Sequence, residues 1–213
     1  VNAESSHHAV LAITSDSGLL GGLNMQVMKH GFNELRSGDD VLLVAGERGK
    51  MYAREEGIPY TGFPGIVDET RLELALTMRD AILEKVMAGD FGSLSVIYPK
   101  AFSLTVQRIQ KIEPLPYGTG EAADVEQKNI RRLNLEEFEQ ESSVAAVVEY
   151  LIYLWLGQRL YEILGEAKLA ELAARFMHLE ESSQRLEDVD KDLNLKYHRL
   201  RHELTDTSMR EIF

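Results

Sequence analysis

Apolar residues in the first half of the chain gather in short runs, and between the runs they recur at helical spacing. Ala9 to Thr14 (AVLAIT) is apolar almost throughout and is followed by the turn-rich SDSG, which predicts a buried strand. Leu23 to Leu35 then predicts a helix, with Val27, Met28, Phe32 and Leu35 near one face. Val41 to Ala45 predicts a second strand and Arg48 to Glu56 a second helix. Ile58 to Phe63 is a third candidate strand, weakened by Pro59, which cannot donate to a ladder. Glu69 to Ala88 predicts a long helix whose apolar face comprises Leu72, Leu76, Met78, Leu83, Val86 and Met87. Ser93 to Tyr98 and Leu104 to Ile112 complete the strands. Strands separated by helices imply an α/β fold: a mostly parallel, Rossmann-like sheet with flanking helices. The link Pro99 to Ser103 is too short for a crossover helix, so the last strand is expected antiparallel at an edge.

The pattern changes after residue 112. Residues 113–141 contain EPLPYGTGEAADVEQKN, rich in Pro, Gly and acid, and predict an exposed excursion that ends the domain formed by residues 1–112. From residue 142 to 213 there is no Pro, and Gly157 and Gly165 are the only glycines. This predicts a single C-terminal helix on the order of 100 Å long at 1.5 Å per residue. Within it Leu172, Phe176, Leu179, Ser183, Leu186, Asp190, Leu193, Tyr197, Leu200 and Leu204 follow one another at alternating steps of four and three. That is the seam of half a coiled coil, with Ser183 and Asp190 as polar interruptions that help to fix register. A solitary amphipathic helix on a core is the alternative, but it would carry a broader apolar stripe. So narrow a seam calls for a second helix, supplied by another copy of the chain or by a segment outside these 213 residues.

Composition narrows the classes of function. A hydrophobic content of 44% supports a sizeable core, and the absence of Cys removes disulfides, thiolate metal sites and cysteine nucleophiles. A net charge of -12 argues against a nucleic-acid partner, since phosphate binding needs clustered Lys and Arg. The most apolar run, Val144 to Leu156, contains Glu149 and falls short of the roughly 20 residues that span a bilayer. No signal peptide is visible, and a first residue of Val1 rather than Met leaves room for an upstream segment.

Candidate chemistry is sparse. Thr14 to Asn24 (TSDSGLLGGLN) follows a strand and opens a helix, where doubly wound folds bind phosphate. Yet it matches neither GxGxxG nor GxxxxGK[ST], so Gly18, Gly21 and Gly22 are better read as serving a tight turn, with Asp16 capping backbone N–H groups. A small α/β domain holding a phosphate-bearing ligand at residues 16–22 is kept as the alternative function. His7 and His8 are expected to be solvated near a mobile end, and His198 with His202, four apart on a helix, lack any companion metal motif. Glu180 with Glu181 and Glu187 with Asp188 are expected on a helix exterior. No catalytic residue, cofactor or metal is assigned.

Several segments resemble one family in order. Ile13 to Asn24 (ITSDSGLLGGLN) is similar to the ITSDRGLCGGLN block of gamma subunits of F-type ATP synthases. Val44 to Gly49 (VAGERG), Phe63 with Pro64, and Ala88 to Tyr98 (AGDFGSLSVIY) resemble later blocks of that family. In the long helix Ala173, Ala174 and Arg175 look like its A-A-R-M, with Phe176 replacing Met. Leu193 to Arg201 (LNLKYHRLR) and the pair Glu211–Ile212 resemble its C-terminal end. Ser17 stands where the family has Arg, Leu20 where Cys is common, His198 for Asn, and His202 for Gln, while Asp206 and Ser208 replace Thr and Glu. These departures and the acidity suit a divergent paralogue from an alternative, ion-pumping F-type ATPase.

The resemblance implies a non-catalytic central-stalk rotor subunit. Its α/β domain would form the foot, and its C-terminal helix would rise into the hexamer of alpha and beta subunits. It implies contacts with an epsilon subunit and the c-ring, and an N-terminal helix of the same chain coiled antiparallel on the seam. It places Arg199, Arg201, His202 and Asp206 in contact with the catalytic head, with Met209, Ile212 and Phe213 as an apolar tip. It implies a peripheral membrane protein on the cytoplasmic face of the inner (plasma) membrane, held there through the ring.

Overall fold

The computed structural model describes residues 5–115 and 144–212. Its elements run β1 (His8–Ile13), α1 (Leu23–Glu34), β2 (Val41–Ala45), α2 (Glu47–Glu55), β3 (Tyr60–Phe63), α3 (Arg71–Ala88), β4 (Ser93–Ala101), β5 (Gln107–Leu115) and a long helix, α4 (Val144–Ile212). The strands form one sheet in the order β3-β2-β1-β4-β5. The first four are parallel, and β5 returns antiparallel at the edge, as the short link demands. Pro59 lies just outside β3, which is the opposite edge strand.

Both faces of the sheet are covered, which is why β1 and β2 read as continuous apolar runs rather than as alternation. Ala9, Leu11 and Ile13 pack with Leu74, Met78 and Ile82 of α3 and with Leu156, Leu160, Ile163 and Leu164 of α4. Val10 and Ala12 face the other way, onto Val27 and Met28 of α1 and Ala53 of α2. The root of α4 is therefore part of the domain core. Tyr98 and Lys100 of β4 fasten it further, each donating a hydrogen bond of 2.7 Å to the Glu166 carboxylate. Burial alone would raise the Glu166 carboxyl, but these hydrogen bonds and the Lys100 and Arg159 charges outweigh it and hold the group below its usual range.

Three expectations need correction. The face that α3 buries is Leu74, Ala75, Met78, Arg79, Ile82 and Val86, whereas Leu72 and Met87 are exposed. Apolar residues occur nearly all round this helix, so spacing alone leaves its orientation open, and contact with α4 decides it. Strand β5 starts at Gln107 because residues 102–106 form the hairpin turn, closed by the Phe102 N–H donating to the Val106 carbonyl at 2.9 Å. It continues to a buried Leu115, inside the segment expected as a loop; the remainder of that excursion lies outside the described residues.

His8 is the third correction. It is buried rather than solvated, because its ring shares a 2.7 Å hydrogen bond with Ser93 on the neighbouring strand and its N–H donates to Asp40. Its Nε2 is buried with no hydrogen-bond partner among the described residues. Burial, helped by the Arg36 charge, holds its pKa below 6.5. An unfolded chain accepts a proton here before the folded one does. Stability is therefore complete above the unfolded value and declines as pH falls from 6.5 towards the folded pKa. We expect the melting midpoint to drop between about pH 7.5 and about pH 5.5, and to drop less in His8→Gln. Equal slopes by differential scanning fluorimetry would count against this assignment.

Candidate functional site

Helix α4 divides into a buried root, a neck and an uncovered shaft. In the root, two arginines of α3 lie against two tyrosines of α4. The Arg79 guanidinium sits 3.6 Å from the centre of the Tyr153 ring and also donates to its hydroxyl. The Arg71 guanidinium sits 4.4 Å from the Tyr161 ring centre and donates to that hydroxyl at 2.7 Å. The glycines one turn on supply the space. A Cβ on Gly157 would lie 3.2 Å from Arg79 Nη1, and one on Gly165 would lie 3.1 Å from Arg71 Nη1. The sequence carries the signal as a repeated Y-x-x-L-G, Tyr153 to Gly157 and Tyr161 to Gly165, N-terminal to the heptad seam.

At the neck the Gly-rich turn meets the emerging helix. Leu20 and Leu23 pack on Ala174, and Arg175 donates to Ser17 Oγ and, at 2.7 Å, to the buried Glu171. Lys168 completes this cluster, 3.2 Å from the Glu171 carboxylate. Positive φ angles at Leu19 (65°), Gly21 (57°) and Gly22 (87°) shape the turn.

The same turn is wired internally, which leaves the phosphate reading without support. The Glu47 N–H donates to Asp16 Oδ1 at 2.9 Å, the Arg48 N–H to the Ser15 carbonyl at 3.1 Å, and the Gly49 N–H to Thr14 Oγ1 at 2.9 Å. Thus the head of α2 is occupied by the chain's own Thr14–Ser15–Asp16 triplet, and Asp16 adds a negative charge that a phosphate would oppose. At the head of α1, Asn24 accepts from the Ser15 N–H at 3.1 Å and donates to Ser15 Oγ at 2.9 Å.

Beyond the neck, residues 175–212 of α4 would extend roughly 55 Å at 1.5 Å per residue. The seam residues there and just before it, Leu172, Phe176, Leu179, Leu186, Leu193, Tyr197, Leu200 and Leu204, are exposed by between 47% (Leu172) and 70% (Leu204). Charged pairs at helical spacing, such as Lys196–Asp192 at 2.6 Å, clothe the shaft. Arg199, Arg201, His202 and Asp206 lie exposed near its end, within two turns of one another. The side chains of Met209 and Ile212, and all of Phe213, lie outside the described residues.

A doubly wound domain that sends out a long helix with its apolar seam uncovered has the build of a stalk component of a larger assembly. Comparison with known proteins agrees. A family model described as ATP synthase matches residues 1–213, and the chain belongs to the ATP synthase gamma family. It is 28% identical over 214 residues to the ATP synthase gamma chain of Clostridium acetobutylicum, covering 98% of this chain and 72% of that one. With the gamma chain of Chlorobium chlorochromatii the identity is 23% over 221 residues, covering 100% and 73%.

Solved structures share the fold. A chain of the Euglena gracilis mitochondrial ATP synthase (OSCP, F1 and c-ring, rotational state 3) superposes with a TM-score of 0.69 at 14% identity, covering 98% of this chain and 71% of that one. A chain of the Tetrahymena thermophila mitochondrial ATP synthase central stalk and c-ring gives 0.64 at 18% identity, covering 84% and 80%.

Proposed function

We propose that this chain is the central-stalk rotor of an F-type ATP synthase, coupling ion flow through a membrane c-ring to ATP synthesis or hydrolysis on a hexamer of alpha and beta subunits. The observation that carries this reading is the uncovered heptad seam on a helix whose root is locked into the foot domain. A shaft of this kind acts by touching the three catalytic sites unequally as it turns, so each site's conformation follows the rotor angle. Catalysis then belongs to the beta subunits, and the foot meets the c-ring and an epsilon subunit. Exposed Val147, Val148, Tyr150, Leu151 and Leu154 at the start of α4 suit such a partner. Attachment to the membrane would run through the ring, on the cytoplasmic face; no helix among the described residues is long and apolar enough to cross a membrane. The seam would be covered by an N-terminal helix of the same chain.

In this reading Arg199, Arg201, His202 and Asp206 meet the catalytic head, with Met209, Ile212 and Phe213 at the tip. A charge carried into the head must find partners there, since an unpaired one would be strongly destabilising. Arg201→Glu is expected to leave the melting point of the isolated chain unchanged, because its face is solvated. In the assembled complex it should lower ATP-driven ion pumping more than ATP hydrolysis, through loss of a charge-assisted bond of about 1.5–3 kcal/mol. Pumping and hydrolysis measured on one membrane preparation decide the matter. Pumping per ATP at the parent value would remove Arg201 from the catch.

A further inference from the structure

The two arginine–tyrosine contacts of the α4 root form a repeated unit. Arg71 and Arg79 are eight residues apart on α3, Tyr153 and Tyr161 eight apart on α4, and Gly157 and Gly165 eight apart again. The pairing runs antiparallel, Arg71 with Tyr161 and Gly165, Arg79 with Tyr153 and Gly157. Each unit fixes the helix in two ways at once. The planar guanidinium stacks on a ring and bonds its hydroxyl, which resists sliding along the helix axis. It also fills the notch left by a glycine, which resists rotation about that axis, because any turn brings helix backbone or a neighbouring side chain into the guanidinium. Leucine packing alone would allow such motion at lower cost, since apolar contacts are non-directional. Arg79 is buried and Arg71 half-buried, each beside a carboxylate, Asp80 and Asp68, and such placement of a charge adds little stability over apolar residues of the same volume. Directional locking explains the choice.

We infer that this double clasp is the torque lock of the molecule, the place where rotation passes between foot domain and shaft. The inference rests on the rotor reading above. Arg71 and Arg79 are positioning residues here: they act on partner subunits only by holding α4 at a fixed angle to the sheet.

The test uses the complete enzyme complex, its head immobilised and a probe attached to the foot of this subunit, with thermal angular fluctuation recorded at a catalytic dwell. In Arg71→Lys/Arg79→Lys, which keeps both charges but loses the stacked fork, the angular variance is expected to rise about twofold, since a packed interior transmits strain only through its close contacts. Pumping per ATP should fall under load while ATP hydrolysis persists. Tyr153→Phe/Tyr161→Phe removes only two hydroxyls and should give a smaller rise in the same direction. Ile97→Ala, in the core on the opposite face of the sheet, is the control for mere destabilisation: it should lower the melting point and leave the variance at the parent value. Parent-like variance in the assembled lysine variant would overturn the inference; if that variant does not assemble, parent-like variance in the phenylalanine variant overturns it. If the parent complex itself does not rotate on ATP, the rotor reading fails first, and the lock with it.

Discussion

Gly46→Ala is expected to lower the melting midpoint of the chain by roughly 10 °C, since each kcal/mol is worth about 2–4 °C in a chain of this size. Gly46 follows β2 and opens α2 with φ 93° and ψ 145°, a region that residues with a Cβ rarely enter. The strain of that conformation costs on the order of 1–3 kcal/mol. Space adds to the cost. A Cβ would lie 2.4 Å from the Thr14 carbonyl oxygen and 2.9 Å from that of Ser15. Both are backbone atoms at the end of the central strand, and neither can retreat while Thr14 N–H and Oγ1 hold the Ala45 carbonyl at 2.9 Å and 2.6 Å. Overpacking of this kind costs about 1–3 kcal/mol more. Gly57 separates the two causes: its φ is 68°, yet an added Cβ would meet nothing within 4 Å. Gly57→Ala should therefore lose only the conformational part. Thermal unfolding of the two variants side by side checks this, and a Gly46→Ala midpoint no lower than that of Gly57→Ala would refute the close approach.

The second large effect concerns the shaft. Leu186→Asp/Leu193→Asp is expected to leave the melting point of the isolated chain nearly unchanged, because both side chains are mostly exposed, at 69% and 58%. In the assembled complex the outcome reverses. Each leucine buried in a covered seam contributes roughly 1.5–3 kcal/mol, so losing two removes roughly 3–6 kcal/mol and places two carboxylates in an apolar seam. Assembly yield and ATP-driven pumping should both collapse. Leu195 is a matched control, since it is as exposed as Leu193 but lies off the heptad. Leu195→Asp should pump like the parent. If the double variant also assembles and pumps normally, the seam carries no second helix.

The order of elements was legible in the residues because each strand is short, apolar and bounded by turn formers, and because a short link forbids a crossover before β5. The block ITSDSGLLGGLN was legible as a resemblance and as a glycine turn in which Asp16 caps backbone N–H groups, but which N–H groups it caps was not. Thr14, Ser15 and Asp16 are adjacent in sequence, yet they satisfy the head of α2, more than thirty residues away. Nothing in the local spacing announces such a partner. The same holds for His8, whose burial depends on Ser93 and Asp40 from other elements.

What the sequence determined by itself was the part governed by period: the alternation of strands and helices, the length of the last helix and its narrow heptad stripe. Periodicity is a property of neighbours along the chain, so it survives without coordinates. The tertiary structure alone decided which face each helix turns inward and where the long helix stops being core. In α3 the apolar residues lie nearly all round, and only its packing against β1 and α4 shows that Leu74, Met78 and Ile82 are buried while Leu72 and Met87 stay exposed. In α4 one unbroken helix passes from a fully buried Leu164 to an exposed Leu186 with no change of grammar, because burial is set by whether a sheet lies alongside, and that depends on contacts between residues far apart in the chain.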